Sequence, residues 1–172
     1  MSEFFAAIDV GTSVIKSAVF DKKGRMRSIA HRPCRSLKQK DGKIEHVPST
    51  ILQKSLSCLE EAVRLSGIHR KSIASVAVTN QRATIICIDR KGNPLGNAIS
   101  WQDMRGQDEV KKLKRAMSDS EYYNITGIPN NPVFTLAKVL WVKHRDKSRY
   151  EKTEKFVLVH DYIAKELGCG DY

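Results

Sequence analysis

The sequence predicts an α/β protein in which a mixed sheet opens with three antiparallel strands and carries helices on its faces. Two observations lead there. Two apolar runs, Phe4 to Ile8 and Val14 to Phe20, flank Asp9-Val10-Gly11-Thr12-Ser13, the pattern of a β-hairpin. Leu52, Leu56, Leu59 and Val63 then recur at helical spacing, and a third apolar run, Ser72 to Thr79, follows them. At 172 residues the chain is long enough for one ordinary domain with a core of its own.

Taken in order, Lys22-Lys23-Gly24-Arg25 turns the hairpin into a third antiparallel strand, Met26 to Arg32. Arg35 to Lys43 is polar and reads as a loop. Ile44-Glu45-His46-Val47-Pro48-Ser49 leads into the first helix, on which Leu52, Leu56, Leu59 and Val63 mark one face and which Gly67 stops. The strand ending at Thr79 delivers Asn80-Gln81-Arg82-Ala83-Thr84. Ile85 to Asp89 is the next strand, turned by Lys91-Gly92-Asn93-Pro94, and Asn97 to Ser100 runs into Trp101-Gln102-Asp103-Met104-Arg105. A helix over Asp108 to Met117 points Val110, Leu113 and Met117 inward. Thr126 to Pro132 breaks the pattern, and Val133, Ala137, Leu140, Trp141 and His144 mark another helical face. Phe156 to Val159 is a last strand, and Asp161 caps a helix that ends at Gly168.

Composition narrows the classes. The 41% hydrophobic content and only 5 prolines argue against a disordered tail. No apolar stretch approaches the roughly 20 residues of a membrane span, and the N-terminus lacks a basic region followed by an apolar one, so a soluble, cytoplasmic protein is expected. Cys34, Cys58, Cys87 and Cys169 lie far apart with no CxxC, which suits reduced thiols better than zinc ligands or a disulfide framework. The net charge of +11 suggests acidic partners: nucleic acid, nucleotide phosphates or a phosphorylated product. Many basic residues alternate with acids, as between Lys143 and Lys155, which suits solvated helix faces.

The hairpin carries the first chemistry. Gly11 permits close backbone approach to a ligand, and N–H groups with the Thr12 and Ser13 hydroxyls form a concavity suited to phosphate. Asp9 beside bound phosphates suits Mg²⁺ held through water, and Lys16 supplies compensating positive charge. A tight turn whose Gly and Thr serve only the hairpin is the competing reading. The element order matches the core of the ribonuclease-H-like group, which includes sugar kinases, actin, chaperone ATPases and nucleases, so fold alone does not decide function. Two-metal phosphodiester cleavage needs several carboxylates at one point. The strand Ile73 to Thr79 carries none, which ranks a nuclease low.

The residues resemble those of the FGGY carbohydrate kinases, the family of glycerol, xylulose and gluconate kinases. The matching stretches are Ile8 to Ser13 with Lys16, Ile44-Glu45-His46 with Pro48, Val78 to Arg82, Asn97 to Gln102 with Arg105, Thr126-Gly127, and Lys138 to Trp141, in family order along nearly the whole chain. The resemblance implies transfer of the γ-phosphoryl of ATP to a sugar or polyol hydroxyl. Asp9, Gly11, Thr12, Ser13 and Lys16 would contact nucleotide phosphates and Mg²⁺. Gln81, Arg82, Ala83, Trp101, Asp103 and Val133 would line the substrate site. Arg82 offers a planar fork of donors for adjacent hydroxyls, and an indole face suits the C–H side of a polyol; a structural salt bridge and a core aromatic are the competing readings for Arg82 and Trp101. Glycerol kinases carry a glutamate where this chain has Ala83 and a tyrosine where it has Val133, which weighs against glycerol. Pro132 to Lys138 and His160-Asp161-Tyr162 look closer to pentulose kinases.

The resemblance also implies a longer protein. The chain would be an incomplete N-terminal domain, inactive alone, with the general-base aspartate past Tyr172 and a second, adenine-binding domain beyond. It allows a homodimer of the full-length protein, with no membrane contact. A catalytically silent ligand-binding module on the same fold is the alternative, and nucleic-acid binding, favoured only by charge, ranks below it.

Overall fold

The computed structural model describes residues 3–39 and 41–172; of the loop expected over Arg35 to Lys43, Lys40 lies outside them. In chain order the strands are β1 (Phe4–Val10), β2 (Val14–Asp21), β3 (Met26–Pro33), β4 (Leu37–Lys38), β5 (Ile44–His46), β6 (Ile73–Asn80), β7 (Ile85–Ile88), β8 (Ala98–Ile99) and β9 (Lys155–Leu158). The helices are α1 (Pro48–Ser66), α2 (Gln107–Ala116), α3 (Asp119–Thr126), α4 (Thr135–Arg145), α5 (Lys147–Lys152) and α6 (Val159–Glu166). They form two compact units. One comprises Met1–Ser36, Val47–Gln81 and Val159–Tyr172; the other comprises Leu37–His46 and Arg82–Leu158.

The first unit holds a four-stranded sheet in the order β3-β2-β1-β6, antiparallel except for the parallel β1–β6 pair. The three opening strands and the parallel fourth lie where the apolar runs place them. Strand pairing sets Ala6, Ile8 and Val10 opposite Val19, Ser17 and Ile15, so one face of the hairpin is uniformly buried. Helix α1 packs across β1, β2 and β3. It starts with Pro48 in its first turn, where no hydrogen bond is lost, and ends at Gly67 with φ 69°.

The fully buried stripe of α1 runs beside the leucine face. Ile51, Ser55, Cys58 and Ala62 are inside, while Leu52, Leu56, Leu59 and Val63 are half-buried. The rhythm is the same but the stripe lies one residue earlier. Small side chains stand where helix and sheet come closest: Cys58 Sγ lies 3.7 Å from the Ile15 carbonyl, and Ser28 Oγ donates to the Ala62 carbonyl at 2.6 Å. The leucines flank that line. Most residues of β6 are exposed, and among the described residues its sheet neighbour is β1.

The second unit is built on a five-stranded antiparallel sheet, β4-β5-β8-β7-β9. The short strands β4, β5 and β8 arise in segments expected to be loops or lead-ins. Every residue of β7 (Ile85-Ile86-Cys87-Ile88) is buried. Ile85, Cys87, Ile99 and Val142 form its core, with Val139, Trp141, Tyr150 and Phe156 packed around them. The unexpected helix α3 begins with a complete capping box, Ser118 bonding the Glu121 N–H while the Glu121 carboxylate bonds the Ser118 N–H. Val133 precedes α4 rather than lying on it, and α6 begins at Val159, which puts Asp161 in its first turn instead of at the cap.

Helices α2 and α4 meet at Gly106, the residue that caps α2. A Cβ there would stand 2.7 Å from the Ala137 carbonyl oxygen and 2.8 Å from the Ala137 Cβ. Its φ of −79° is open to any residue, so the requirement is space alone. Gly106→Ala is expected to destabilise the second unit by about 1–3 kcal/mol, as overpacking against backbone does. Urea unfolding followed by tryptophan fluorescence checks this, and a change under about 0.5 kcal/mol would show that α2 and α4 separate freely.

Candidate functional site

In the first unit the Gly11–Ser13 turn lies at the C-terminal end of the parallel pair β1–β6, the end at which open α/β sheets bind ligands. Val10 is paired with Asn80, and the Gln81 N–H donates to the Val10 carbonyl at 2.9 Å, so the turn and the Asn80-Gln81 segment share that end. Asp9 is half-buried and directly opposite the exposed Lys16 in strand register. The Ser13 carbonyl accepts from the Cys34 N–H at 2.8 Å, which ties the turn to the end of β3. Gly11 serves the turn itself, because a Cβ there would stand 2.6 Å from the Val14 carbonyl oxygen.

Helix α6 packs against β6 and sets His160 Nδ1 3.1 Å from the Asn80 Oδ1, while His160 Nε2 lies 3.1 Å from the Asp161 carboxylate. The Asn80 side chain at this sheet end is therefore held from behind. Gln81 beside it is buried.

In the second unit, Arg82 and Ala83 form the turn into β7. Arg82 is exposed, and among the described residues it makes no ion pair with a carboxylate. Ala83 adopts φ 60°, the left-handed region that costs a side-chain-bearing residue roughly 1 kcal/mol. Strained backbone of this kind concentrates at functional positions. Thr84 is fully buried, and its Oγ1 accepts the Trp101 N–H at 3.1 Å, so the Arg82–Thr84 turn and the Trp101 turn lie together. Trp101 is 38% exposed, more than a core aromatic would be.

Behind Trp101 is a buried ionic knot. The Arg105 side chain, 5% exposed, donates from Nη2 to Glu45 at 2.7 Å and from Nη2 and Nε to the two Asp103 oxygens at 2.7 and 2.8 Å. The Ile44 and Arg105 N–H groups fill the remaining Asp103 lone pairs at 2.7 and 2.8 Å. Burial alone would raise the Asp103 carboxyl; the Arg105 charge and these hydrogen bonds outweigh it and hold it below the usual range. Glu45 also accepts from Gln39 and Asn97 at 3.1 and 3.0 Å. The guanidinium lies 4.8 Å from the Trp141 ring centre, joining the knot to α4.

Val133 is half-buried in the loop before α4. That loop is gripped by Lys138, whose Nζ donates to the carbonyls of Pro132, Val133 and Phe134 at 3.1, 2.6 and 3.4 Å. Neither Arg105 nor Lys138 was assigned a role from sequence, although both fall in the family-like stretches.

Residues 4–169 match the N-terminal domain of the FGGY family of carbohydrate kinases. The chain belongs to this family. It is 32% identical over 172 residues to a glycerol kinase of Methylibium petroleiphilum, covering 97% of this chain and 34% of that protein. A glycerol kinase of Burkholderia cenocepacia is 34% identical over 179 residues, covering 98% and 36%. The chain thus spans about a third of the length of the curated relatives it matches. Among solved structures, a gluconate kinase from Lactobacillus acidophilus superposes with a TM-score of 0.88 at 22% identity, covering 95% of this chain and 33% of that one. Plasmodium falciparum glycerol kinase with ADP gives 0.85 at 24%, covering 98% and 35%. These two likenesses establish the sugar-kinase fold of the ribonuclease-H-like group.

Burial pushes the Lys138 ammonium down from 10.5 to about 8, with Arg105 adding to the effect and Asp103 opposing it. Below pH 8 both folded and unfolded chains hold that proton. Between about 8 and 10.5 the unfolded chain keeps it and the folded chain loses it, so stability rises with pH across that window. Relative to Lys138→Met, the wild type should gain about 3 kcal/mol from pH 7.5 to 10.5, read by urea unfolding at several pH values. A flat or falling difference would contradict the assigned burial.

Proposed function

We propose that this chain is the N-terminal part of a cytoplasmic, ATP- and Mg²⁺-dependent carbohydrate kinase that phosphorylates a hydroxyl of a sugar or polyol. The observation that carries the reading is the family match together with the hydroxyl-bearing Asp9–Ser13 turn at the ligand-binding end of a parallel strand pair. Asp9 is a hard oxygen donor next to that turn, and such a donor fits Mg²⁺ that keeps most of its water and phosphate ligands. Thr12, Ser13 and the turn backbone would hold nucleotide phosphates, with Lys16 balancing their charge. Bound there, ATP would supply the phosphoryl group and Mg²⁺ would offset its negative charge. The general base and the second domain are assigned to the part of the longer protein beyond this chain.

On the substrate side, Arg82 would donate to sugar hydroxyls, and the exposed Trp101 would cover their C–H face. We assign Asp103 a supporting role rather than a contact, because all its lone pairs are already filled. Gln81 is likewise assigned to the edge of the site. Ala83 and Val133 offer no side-chain hydrogen bond, so the substrate is a sugar or polyol read mainly by Arg82 and backbone groups. The sequence relatives named above are glycerol kinases, whereas the gluconate kinase shares the fold, so the proposed substrate is a sugar or polyol without a narrower assignment.

A charge-assisted hydrogen bond in a closed cleft contributes about 1.5–3 kcal/mol. In the longer kinase, Arg82→Ala should lower kcat/KM for the best substrate about ten- to hundredfold without changing the melting temperature. Asp9→Ala should leave sugar affinity intact and impair use of Mg²⁺-ATP. Steady-state kinetics over a panel of polyols and ketoses checks both, and wild-type efficiency in Arg82→Ala would show that the substrate site lies elsewhere.

A further inference from the structure

Lys138 is a cation in an unfavourable place. It is 0% exposed, it lies in the first turns of α4, where the helix dipole disfavours positive charge, and its Nζ is directed at main-chain carbonyls rather than at a carboxylate. A methionine would fill the same space with neither penalty, since replacing buried charge by an apolar residue of similar size is often neutral or stabilising. What the ammonium does, and methionine cannot, is bind the Pro132, Val133 and Phe134 carbonyls at once.

The loop has matching needs. Its donors are used internally, the Val133 N–H on the Asn131 side-chain oxygen at 3.0 Å and the Phe134 N–H on the Asn131 carbonyl at 3.1 Å. Its successive carbonyls converge on one side chain. The anchor itself is rigid, because Ala137 beside Lys138 is pressed against Gly106, and Trp141 one turn on lies against Arg105.

We propose that Lys138 is a positioning residue that fixes the Pro132–Phe134 loop on α4 and thereby sets the Val133 wall of the sugar pocket. This rests on the reading of Val133 as part of that pocket. Lys138 does not touch the sugar; its effect is to keep the wall in one conformation, so that sugar binding does not have to order it.

The test uses the longer kinase with Lys138→Met, Lys138→Gln and, in parallel, Arg82→Ala. Lys138→Met should raise KM for the sugar by about fivefold or more, the scale of one or two lost hydrogen bonds, with kcat and KM for ATP within about twofold. Amide exchange at Val133 and Phe134 should quicken while the protection of β7 and α4 is kept. Lys138→Gln, which retains a donor, should fall between wild type and methionine. An unchanged sugar KM in both Lys138 variants overturns the proposal, as does a joint loss of kcat, both KM values and melting temperature, which would mark a plain core residue. If Lys138→Met shows the selective KM effect while Arg82→Ala shows none, the loop assignment stands and the Arg82 assignment fails. If only Arg82→Ala responds, the reverse holds.

Discussion

The second unit depends on a single buried guanidinium. Arg105 bonds Glu45 of β5 and Asp103 of its own loop, and lies against Trp141 of α4. Two carboxylates and one guanidinium out of water would be costly if any partner were missing, and here each is hydrogen-bonded several times over. The strands involved are very short, β5 with three residues and β8 with two, too short to be held by ladder bonds alone. The knot supplies the missing constraint. It lies beside the turn that exposes Trp101, and the charges of Asp103 and Arg105 act in opposite directions on the lysine that grips the loop carrying Val133.

The first unit works by different physics. Its hairpin is held by strand pairing and by a helix that approaches closely because Ser55, Cys58 and Ala62 are small. The Gly11–Ser13 turn is therefore an outcome of backbone geometry, with Gly11 demanded by the Val14 carbonyl. The second unit is instead organised by side-chain electrostatics around Arg105.

What was legible in the sequence follows from the same contrast. The hairpin, β3, α1 and β6 were readable because local alternation, helical spacing and Gly or Pro boundaries are short-range signals. The leucine face of α1 was legible because leucines dominate a hydrophobicity pattern, but the fully buried line one residue earlier was not, since close packing selected the smaller neighbours. Helix α3 was passed over because its exposed Tyr123 and Ile125 blur any apolar stripe, although Ser118 and Glu121 stood at capping-box spacing. Arg82 and Trp101 were singled out through family resemblance. The Glu45–Arg105 pair joins residues 60 positions apart, and nothing local in either segment announces it.

The most direct test is the stability of Arg105→Met in this chain, followed by urea unfolding. Both tryptophans, Trp101 and Trp141, lie in the second unit and report on it. Loss of the guanidinium leaves Glu45 and Asp103 buried without their counter-charge, and a loss of about 3–5 kcal/mol is expected. Asp103→Asn in the same chain should restore part of it, giving a coupling of about 1 kcal/mol or more between the two sites. A change under about 0.5 kcal/mol in Arg105→Met, with Trp101 fluorescence unaltered, would mean that the sheet and α4 hold the second unit without the knot.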